Sequence, residues 1–253
     1  MSPFGRQRLQ AIGFLLAIKP VLNCRAILLR CFREPDLSQP FTHSDAEIAP
    51  RLVLEQLSCE RDDRLLFSGL SLTASAGEIW QITGANGAGK TTLLRILVGL
   101  HGFYEGVCQW WQPQWQQELL YLGHQPGVRE ELNPLENLRY ACALSEQGGD
   151  PMAALAAVGL QGFEDVPAAH LSAGQKRRIA LARLWLDHKA VWVLDEPYTA
   201  IDQDGVAALD QQIQQAAQAG ALVIYTSHHQ VGDGVRRLHL AHGQAEVTAE
   251  GLA

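Results

Sequence analysis

Eight consecutive residues, GANGAGKT from Gly84 to Thr91, constrain the fold more than any other stretch of the sequence. They match the G-x-x-x-x-G-K-[ST] spacing of a phosphate loop. The segment before them, GEIWQITG, predicts an apolar strand, and the segment KTTLLRILVGL after the last glycine predicts a helix. A glycine-rich turn that binds nothing is the alternative, but the strand and the helix on either side favour the phosphate loop.

The residue types of this loop suit the phosphates of a nucleotide. Glycines let consecutive backbone N–H groups surround an anion, and the N-terminus of the helix adds its dipole. Lys90 is predicted to reach the β- and γ-phosphates, and the Thr91 hydroxyl to hold Mg²⁺. The candidate nucleotide-binding residues here are Gly84, Ala85, Asn86, Gly87, Ala88, Gly89, Lys90, Thr91 and Thr92.

A second candidate region is VWVLDEP, Val191 to Pro197, an apolar run that ends in two acids. Such a run predicts a strand buried on both faces, and ligands bind at the carboxyl ends of strands in open α/β sheets. Asp195 is therefore predicted to hold magnesium, and Glu196 to orient or deprotonate a water. A strand that ends in surface acids is the alternative, and the phosphate loop on the same chain argues against it.

The stretch LSAGQKRR, Leu171 to Arg178, predicts the start of a helix with three consecutive cations in its first turns. Ser172 and Gln175 form a possible capping box, which explains the serine and the glutamine structurally. The cations remain unexplained, because the first turn of a helix favours acids. A phosphate on the N–H groups of residues 172–174 would supply the anion. Since the phosphate loop already serves one nucleotide, this second site is predicted to serve a nucleotide bound to another copy.

Strand and helix patterns alternate along the chain after Pro50, which predicts an α/β fold with a parallel sheet. The helical patterns NPLENLRYACAL and DPMAALAAVGL form an insertion between Gln125 and Leu171, with Asn133 and Asp150 placed to cap them. The aromatic stretch CQWWQPQW is typical of the core of a small antiparallel sheet, with a docking surface as the alternative.

Charge and cysteine content exclude some classes of function. The formal net charge of −7 argues against a general nucleic-acid-binding surface, which needs clustered lysine and arginine. Five cysteines stand at scattered spacings without a C-x-x-C pair, so that neither a disulfide framework nor a zinc site is predicted. A reducing, cytosolic setting fits this cysteine usage.

Residues 1–50 differ from the rest and are predicted to form an N-terminal extension of a domain that covers residues 51–253. Up to Arg33 they contain basic residues and no acid, around the apolar run AIGFLLAI, which is too short to span a bilayer. Three interpretations remain: a disordered or weakly amphipathic extension, a membrane-surface contact, or an upstream start codon chosen in error. No other stretch approaches transmembrane length, so any membrane-crossing part is expected on another chain.

Six motifs occur in the order found in ATP-binding-cassette ATPase domains: GANGAGKTT, GHQPG, LSAGQ, LDEP, TAID and YTSHH. Together they extend over most of the segment from Leu52 to Leu240, and the chain is identified by them as resembling this family. The resemblance implies a P-loop NTPase fold with a parallel core sheet, an antiparallel β subdomain and a helical subdomain. It also implies an ATPase whose two copies enclose two ATP molecules, the phosphate loop of one copy facing LSAGQ of the other.

The resemblance implies a role for each motif residue. Gln125 senses the γ-phosphate and magnesium, Glu196 is the general base, and His228 contacts the γ-phosphate, with His229 a weaker candidate. Asp202 of TAID is implied to make a contact across the dimer. The implied metal ligands are Thr91, Gln125 and Asp195, and the residues implied to contact the nucleotide of the other copy are Ser172, Ala173, Gly174 and Gln175.

One departure from the family concerns the base. An aromatic residue that stacks on adenine is usual in the family, but the corresponding region CERDDR, Cys59 to Arg64, has none. Either Arg61 or Arg64 stacks through its guanidinium plane, or recognition of the base is weak.

The finer pattern, including CERDDRLLFSGLS, PLENL and LSAGQKRRIALARLW, is similar to ATPase subunits of bacterial haem-export and cytochrome c maturation systems. The similarity implies an ATP-dependent homodimer that is peripheral to the cytoplasmic face of the bacterial inner membrane and drives polytopic membrane partners. The alternatives are the ATPase of another ABC transporter and a soluble ABC ATPase that acts on nucleic acid or ribosomes.

Overall fold

The structure is a computed structural model, and it describes residues 50–111, 114–145, 148–186, 189–229, 232, 234–241 and 244–248. Residues 1–49, almost all of the predicted extension, lie outside this range, and so do Cys24 and Cys31. The first described element begins at Pro50.

An antiparallel sheet of three strands carries the first part of the domain. Its strands lie in the order β2-β1-β4, with bounds β1 Pro50–Arg61, β2 Arg64–Ser75 and β4 Glu105–Trp110. Asp62 and Asp63 connect β1 to β2 with φ angles of 53° and 56°. Two residues at positive φ are what a tight hairpin turn requires, and aspartate tolerates this conformation.

A second, larger sheet forms the core and confirms the predicted parallel architecture. Its strands are β3 Ile79–Gly84, β5 Leu119–Leu122, β6 Val191–Asp195, β7 Leu222–Thr226, β8 Arg236–Ala241 and β9 Gln244–Thr248. Their order is β5-β6-β7-β3-β8-β9, and all are parallel except the edge strand β9. The sequence patterns do not predict β8 and β9.

Helices cover the larger sheet and form the predicted insertion. They are α1 Lys90–Leu97, α2 Pro134–Ser145, α3 Pro151–Ala157, α4 Ala173–Ala182 and α5 Gln203–Gln218. The caps of α2 and α3 are as predicted, because Asn133 Oδ1 accepts from Glu136 N at 2.8 Å and Asp150 Oδ1 from Met152 N at 2.9 Å.

Strand β6 is buried on both faces, which explains its continuous apolar sequence. Trp192 and Leu194 pack into one hydrophobic cluster with the helical insertion, whereas Val191 and Val193 pack into a second cluster with the antiparallel sheet. The sheet thus lies between two apolar layers, which fix the position of the carboxyl end of β6.

The tryptophans near β4 belong to the core, as predicted. Trp110 is buried, donates from Nε1 to Leu97 O at 2.9 Å and stacks on Trp115 with ring centroids 4.9 Å apart. Trp111 is partly buried against the same cluster and lies under the guanidinium of Arg51. These contacts favour the core interpretation over the docking surface.

Candidate nucleotide-binding site

The phosphate loop connects β3 to α1, between a strand and a helix as the sequence predicts. Gly84, Gly87 and Gly89 have φ angles of 140°, 79° and 101°, which L side chains rarely adopt. A methyl group added at Gly84 would lie 2.4 Å from the carbonyl oxygen of Leu240. The close approach of β8 therefore excludes any side chain at the start of the loop.

The predicted loop residues divide into an exposed rim and a buried base. Residues 85–87 are exposed, residues 88 and 89 are buried, and Thr92 packs inside at 8% exposure. Lys90 Nζ donates to the carbonyl oxygens of Gly84 at 2.7 Å and Ala85 at 3.2 Å. Its ammonium group is thus held against the first two residues of the loop.

Asp195 lies at the carboxyl end of β6 and brings the second candidate region to the phosphate loop. Its Oδ1 accepts from Thr91 Oγ1 at 3.3 Å and from Thr226 Oγ1 at 2.8 Å. The residue is 1% exposed, and Oδ2 is buried without a hydrogen-bond partner among the described residues. A buried carboxylate oxygen in this state is a ready ligand for a cation.

Glu196 follows directly and has a φ of 50°, which is uncommon for a residue other than glycine. Its backbone N–H donates to Thr226 Oγ1 at 2.8 Å, and that hydroxyl donates in turn to Asp195. The Thr226 hydroxyl on β7 therefore supports the unusual backbone of Glu196. Such backbone conformations persist where surrounding contacts impose them, and they concentrate at functional sites.

Gln125 and His228 are both exposed and follow neighbouring strands of the same sheet. Gln125 lies in the loop after β5, and His228 in the loop after β7, while Glu196 follows β6 between them. Parallel strands end at a common edge, so these loops and the phosphate loop lie along one edge of the sheet. The structure places the predicted catalytic candidates on the same side of the domain.

His229 has a different environment from His228. Its Nε2 lies 2.9 Å from Asp210 Oδ2 on α5, and its ring lies 4.4 Å from that of Tyr198. Tyr198 also donates to Asp210 Oδ1 at 2.6 Å, and burial, followed by this carboxylate, raises the pKa of the tyrosine. His229 is therefore engaged within the chain, which favours His228 as the residue that faces a ligand.

The LSAGQ segment forms the predicted capping box at the start of α4. Ser172 Oγ accepts from Gln175 N at 3.2 Å, and Ser172 N donates to Gln175 Oε1 at 2.9 Å. Ser172 and Ala173 are exposed at the surface, and Gly174 and Gln175 are partly exposed. The capping box uses the N–H groups of Ser172 and Gln175, and the start of the helix lies at the surface.

The prediction that the three cations of α4 lack an acceptor within the chain is wrong. Lys176 pairs with Glu130 at 2.6 Å, Arg178 pairs with Asp202, and Arg177 turns inward to backbone carbonyls. The acceptors of these cations come from other parts of the fold and are not visible in the sequence of the first turn. A nucleotide contact at residues 172–175 rests on the family resemblance and stays a prediction.

Asp202 caps α5 and has partners within its own chain. Its Oδ1 accepts from Gly205 N at 2.9 Å, and its Oδ2 accepts from Arg178 Nη2 at 2.5 Å. The Gly205 N–H and the Arg178 guanidinium lower the pKa of the Asp202 carboxyl. The implied contact across a dimer also stays a prediction.

The structure separates the two arginines that were candidates for stacking on a base. A methyl group added at Gly87 would lie 3.8 Å from Arg64 Nη1, so that Arg64 lies beside the phosphate loop. Arg61 instead pairs with exposed Asp62 at the tip of the hairpin, 3.4 Å away. Of the two, Arg64 has the position that a nucleotide would meet.

Some features of the site are not predicted by the motifs. Thr226 bridges Asp195 and Glu196, and its only sequence signal is a polar residue at the end of the apolar strand ALVIYTS. Tyr198 and Asp210 hold His229, and neither belongs to a recognisable spacing. The contacts of Arg177 are equally invisible in the sequence.

Other kinds of site are not found in the described part of the chain. No helix there is long and apolar enough to cross a membrane. Within the same residues, no group of three or more histidine, cysteine or acidic side chains could hold a metal ion. Cys59, Cys108 and Cys142 form no disulfide within the described residues, and burial raises the pKa of Cys108 to about 11.

Comparisons with known proteins agree with this site. The sequence profile of the ABC transporter family matches residues 67–199. The cytochrome c biogenesis ATP-binding export protein CcmA of Alcanivorax borkumensis is 93% identical over 215 residues, which cover 85% of this chain and 99% of the relative. CcmA of Escherichia coli K12 is 48% identical over 207 residues, which cover 77% of this chain and 98% of the relative.

The fold agrees with that of a solved ATP-binding cassette, a dimer in a post-hydrolysis state bound to ADP and Pi. Its TM-score is 0.67 at 19% identity, with 78% of this chain and 98% of the other covered. With the family profile and both relatives, the phosphate loop and its neighbours on the sheet edge have one explanation: the chain belongs to the ABC transporter family, as one of its ATP-binding ATPase subunits.

Proposed function

We propose that this chain is the ATP-hydrolysing subunit of a bacterial membrane ABC complex for haem export and cytochrome c biogenesis. The observation that carries the proposal is the meeting of Thr91, Asp195 and Glu196 at one sheet edge, linked through the Thr226 hydroxyl. The choice of system is supported by the names of the CcmA relatives, of which one is 93% identical to this chain.

Phosphate binding is assigned to the loop and to the start of α1. Lys90 would exchange its hydrogen bonds to Gly84 and Ala85 for the β- and γ-phosphates of ATP. The glycines leave the N–H groups of the loop free of side-chain obstruction, and the dipole of α1 adds to the attraction. These groups hold the substrate without taking part in bond making.

The residues present fit a magnesium ion. Magnesium prefers oxygen ligands, and Asp195 Oδ2 is a buried carboxylate oxygen without a partner among the described residues. Thr91 and Gln125 would complete the protein's share of the ligands. When bound, Mg²⁺ neutralises charge on the phosphates and helps to orient them.

Hydrolysis is assigned to the loops after β5, β6 and β7. The Glu196 carboxylate orients a water and accepts its proton as the water oxygen attacks the γ-phosphorus. The bond from that phosphorus to the bridging oxygen of ADP breaks, which releases ADP and phosphate. Gln125 and His228 contact the γ-phosphoryl oxygens and stabilise the charge that spreads over them.

Two copies of the chain are proposed to close around two ATP molecules. In this arrangement Ser172, Ala173, Gly174 and Gln175 of one copy contact the nucleotide of the other. The exposed start of α4 supports the proposal, as does the dimeric state of the related cassette that holds ADP and Pi. ATP thus acts as the link between the copies, and hydrolysis releases them.

Polytopic membrane proteins are proposed as the partners that this dimer drives from the cytoplasmic face of the inner membrane. An open cleft of about 900 Å³ lies between the sheet and the helical insertion. Pro126, Gly127 and Val128 line one wall, and Tyr140 and Leu144 of α2 line another. Pro126 directly follows Gln125. A partner segment bound in this cleft would therefore be displaced when Gln125 moves on ATP binding or hydrolysis.

Residues 51–253 are proposed to form the ATP-binding domain, with residues 1–50 as an extension. The alignment to the relative from Escherichia coli K12 supports this division, since it covers 98% of that relative and 77% of this chain. The alignment to the relative from Alcanivorax borkumensis spans 215 residues and therefore reaches into residues 1–50.

Complementation tests the proposed function. In a bacterium that lacks its own CcmA relative, expression of the chain is expected to restore c-type cytochromes, detected by staining of their covalently bound haem. The Lys90→Ala variant, expressed at the same level, is not expected to restore them. Restoration by Lys90→Ala would contradict an ATP-driven role. Failure of an expressed, ATP-hydrolysing wild-type chain in two such hosts would point to another ABC transporter instead.

A further inference from the structure

We propose that Arg177 is a positioning residue that fastens the loop carrying Gln125 to the carboxyl end of β6. In this view the side chain that senses the γ-phosphate and the candidate base Glu196 are held at a fixed separation by one buried guanidinium. The inference rests on the proposed ATPase function of the site and adds a residue to it that no motif identifies.

The hydrogen bonds of Arg177 join two segments that are distant in sequence. Nη1 donates to the carbonyl oxygens of Gly123 at 2.9 Å and His124 at 3.5 Å, in the loop directly before Gln125. Nη2 donates to the carbonyl oxygens of Asp195 at 2.8 Å and Glu196 at 2.9 Å. One guanidinium therefore spans the gap between the ends of β5 and β6.

The burial of this cation argues against a purely incidental contact. Arg177 is 6% exposed, and its Nε is buried without a hydrogen-bond partner among the described residues. Among the described residues its hydrogen bonds go to backbone carbonyls and none goes to a carboxylate. Burial lowers the pKa of Arg177, and the nearby carboxylates of Asp195 and Glu196 oppose that shift. Removing the guanidinium would take one shared donor group from four carbonyl oxygens, so the connection between their two segments is what this arginine contributes.

Only the guanidinium shape suits the contact. Its planar fork presents donors on two separate nitrogens, so that each nitrogen can address one of the two segments. A lysine ammonium is a single point and cannot reach both pairs of carbonyls. The neighbouring cations Lys176 and Arg178 point elsewhere, to Glu130 and Asp202.

The expected consequence is a loss of turnover without a loss of nucleotide affinity. The phosphate loop lies outside the contact, so ATP should still bind to it. The Gln125 loop, by contrast, loses its attachment to β6, and misplacement of groups by about 1 Å can cost about 10²-fold in rate. Removing Arg177 should therefore separate kcat from the dissociation constant of ATP.

The test compares Arg177→Lys and Arg177→Met in the full chain with Lys176→Gln as the control. The control removes a positive charge one residue away whose partner Glu130 is exposed at the surface. Steady-state hydrolysis with Mg²⁺ gives kcat, and titration with a fluorescent ATP analogue gives the dissociation constant and the number of sites. We expect kcat to fall by about 10²-fold in both Arg177 variants, with affinity within about threefold and the control within about twofold of wild type.

Amide hydrogen exchange provides a second readout that needs no turnover. In Arg177→Lys, residues 123–128 are expected to exchange about tenfold faster than in wild type, with exchange in the phosphate loop unchanged. Unchanged exchange at residues 123–128, or unchanged kcat in a folded Arg177→Lys, would overturn the proposal. If kcat fell in proportion to the number of nucleotide-binding sites, the proposal would be overturned too, because part of the variant would then be unfolded. A wild-type chain that bound ATP but never hydrolysed it would instead refute the proposed function. The hydrogen-exchange data would still decide whether Arg177 fastens the Gln125 loop to β6.

Discussion

Arg178 Nη2 lies 2.5 Å from Asp202 Oδ2, an ion pair that connects the first turns of α4 to the N-terminus of α5. Both residues belong to segments that the family resemblance assigns to a dimer interface, yet within one copy each already has a partner. The start of α4 and the TAID segment are therefore coupled before any second copy arrives. A dimer contact by Asp202 would have to share its carboxylate with Arg178 and Gly205 or displace them.

This pair predicts a pH dependence of stability. The pKa of Asp202 is lowered in the folded state, first by the Gly205 N–H and then by Arg178, so its contribution is present above the unfolded pKa. It is lost as the pH falls through the lower, folded pKa. Below about pH 4, the thermal midpoint of wild type should therefore fall more steeply than that of Asp202→Asn, which keeps the helix cap but not the charge.

Asp204→Asn serves as the matched control, because Asp204 lies exposed in the same helix turn. Thermal unfolding followed by circular dichroism between neutral and acid pH gives the comparison. Parallel curves for wild type and Asp202→Asn would show that the negative charge of Asp202 contributes nothing to the stability of the folded state.

Lys90→Ala is expected to abolish ATP hydrolysis and to weaken nucleotide binding. The substitution removes the cation that faces the β- and γ-phosphates and leaves the glycine turns of the loop intact. Turnover should drop by at least about 10³-fold in a phosphate-release assay. A variant with normal turnover would show that the loop does not hold the reacting nucleotide.

Glu196→Gln should bind ATP but not hydrolyse it. The amide keeps the size of the side chain and the backbone hydrogen bond to Thr226, and it removes the group that accepts a proton. ATP should then trap the closed dimer, which size-exclusion chromatography with light scattering detects as a doubled mass. A strictly monomeric ATP-bound variant would count against the two-copy arrangement.

Arg64→Ala is expected to weaken ATP binding by about tenfold, with kcat at saturation nearly unchanged. Arg64 lies beside Gly87, where a guanidinium plane could stack on a base, whereas Arg61 pairs with Asp62 away from the loop. Arg61→Ala is therefore the control. Binding of inorganic triphosphate separates the contacts, since a base contact predicts that only ATP affinity falls.

Local patterns predict the parts of this molecule whose chemistry is local. The glycine spacing of the phosphate loop, the apolar run of β6 and the caps Asn133 and Asp150 each express a rule about neighbouring residues, and each agrees with the structure. Strand β8 is not predicted, although Leu238 and Leu240 alternate with His239 in the sequence and are buried in the structure.

Features that depend on distant contacts could not be predicted in this way. The partners of Arg177 are carbonyls after β5 and at the end of β6, and the hydroxyl of Thr226 bridges the last residue of β6 and the residue that follows it. No spacing within LSAGQKRR reveals that its cations are already satisfied. The same folding that brings the loops together supplies their acceptors, and the pattern of one segment contains no information about them.

The final prediction concerns Gly174, at the exposed start of α4. If this turn holds the γ-phosphate of a nucleotide on the other copy, Gly174→Asp brings a carboxylate against that phosphate. Like charges in such an interface cost on the order of several kcal/mol, which would prevent closure and reduce turnover by at least about 10²-fold. ATP binding should survive, because the variant's own phosphate loop is unchanged.

The structure shows which control this substitution needs. A methyl group added at Gly174 would lie 3.0 Å from the carbonyl oxygen of Ala200, so any side chain disturbs the neighbouring loop somewhat. Gly174→Asn has the shape of aspartate without its charge, and the difference between the two variants isolates the repulsion of the phosphate. If only the capping box matters, an acid near a helix N-terminus is neutral or mildly stabilising, and aspartate should perform no worse than asparagine.

A tandem-linked dimer decides whether the contact acts within one copy or between two. Suppose that one half carries Lys90→Ala and the other half carries Gly174→Asp. If the contact is between copies, both substitutions affect the same site, which Lys90→Ala has already inactivated. The second site stays complete, and turnover should equal that of the tandem with Lys90→Ala alone. Gly174→Asp in the same half as Lys90→Ala damages both sites, so turnover should be lost. A contact within one copy predicts the reverse order, because each half then carries its own lesions, and equal turnover in the two arrangements would refute the contact between copies.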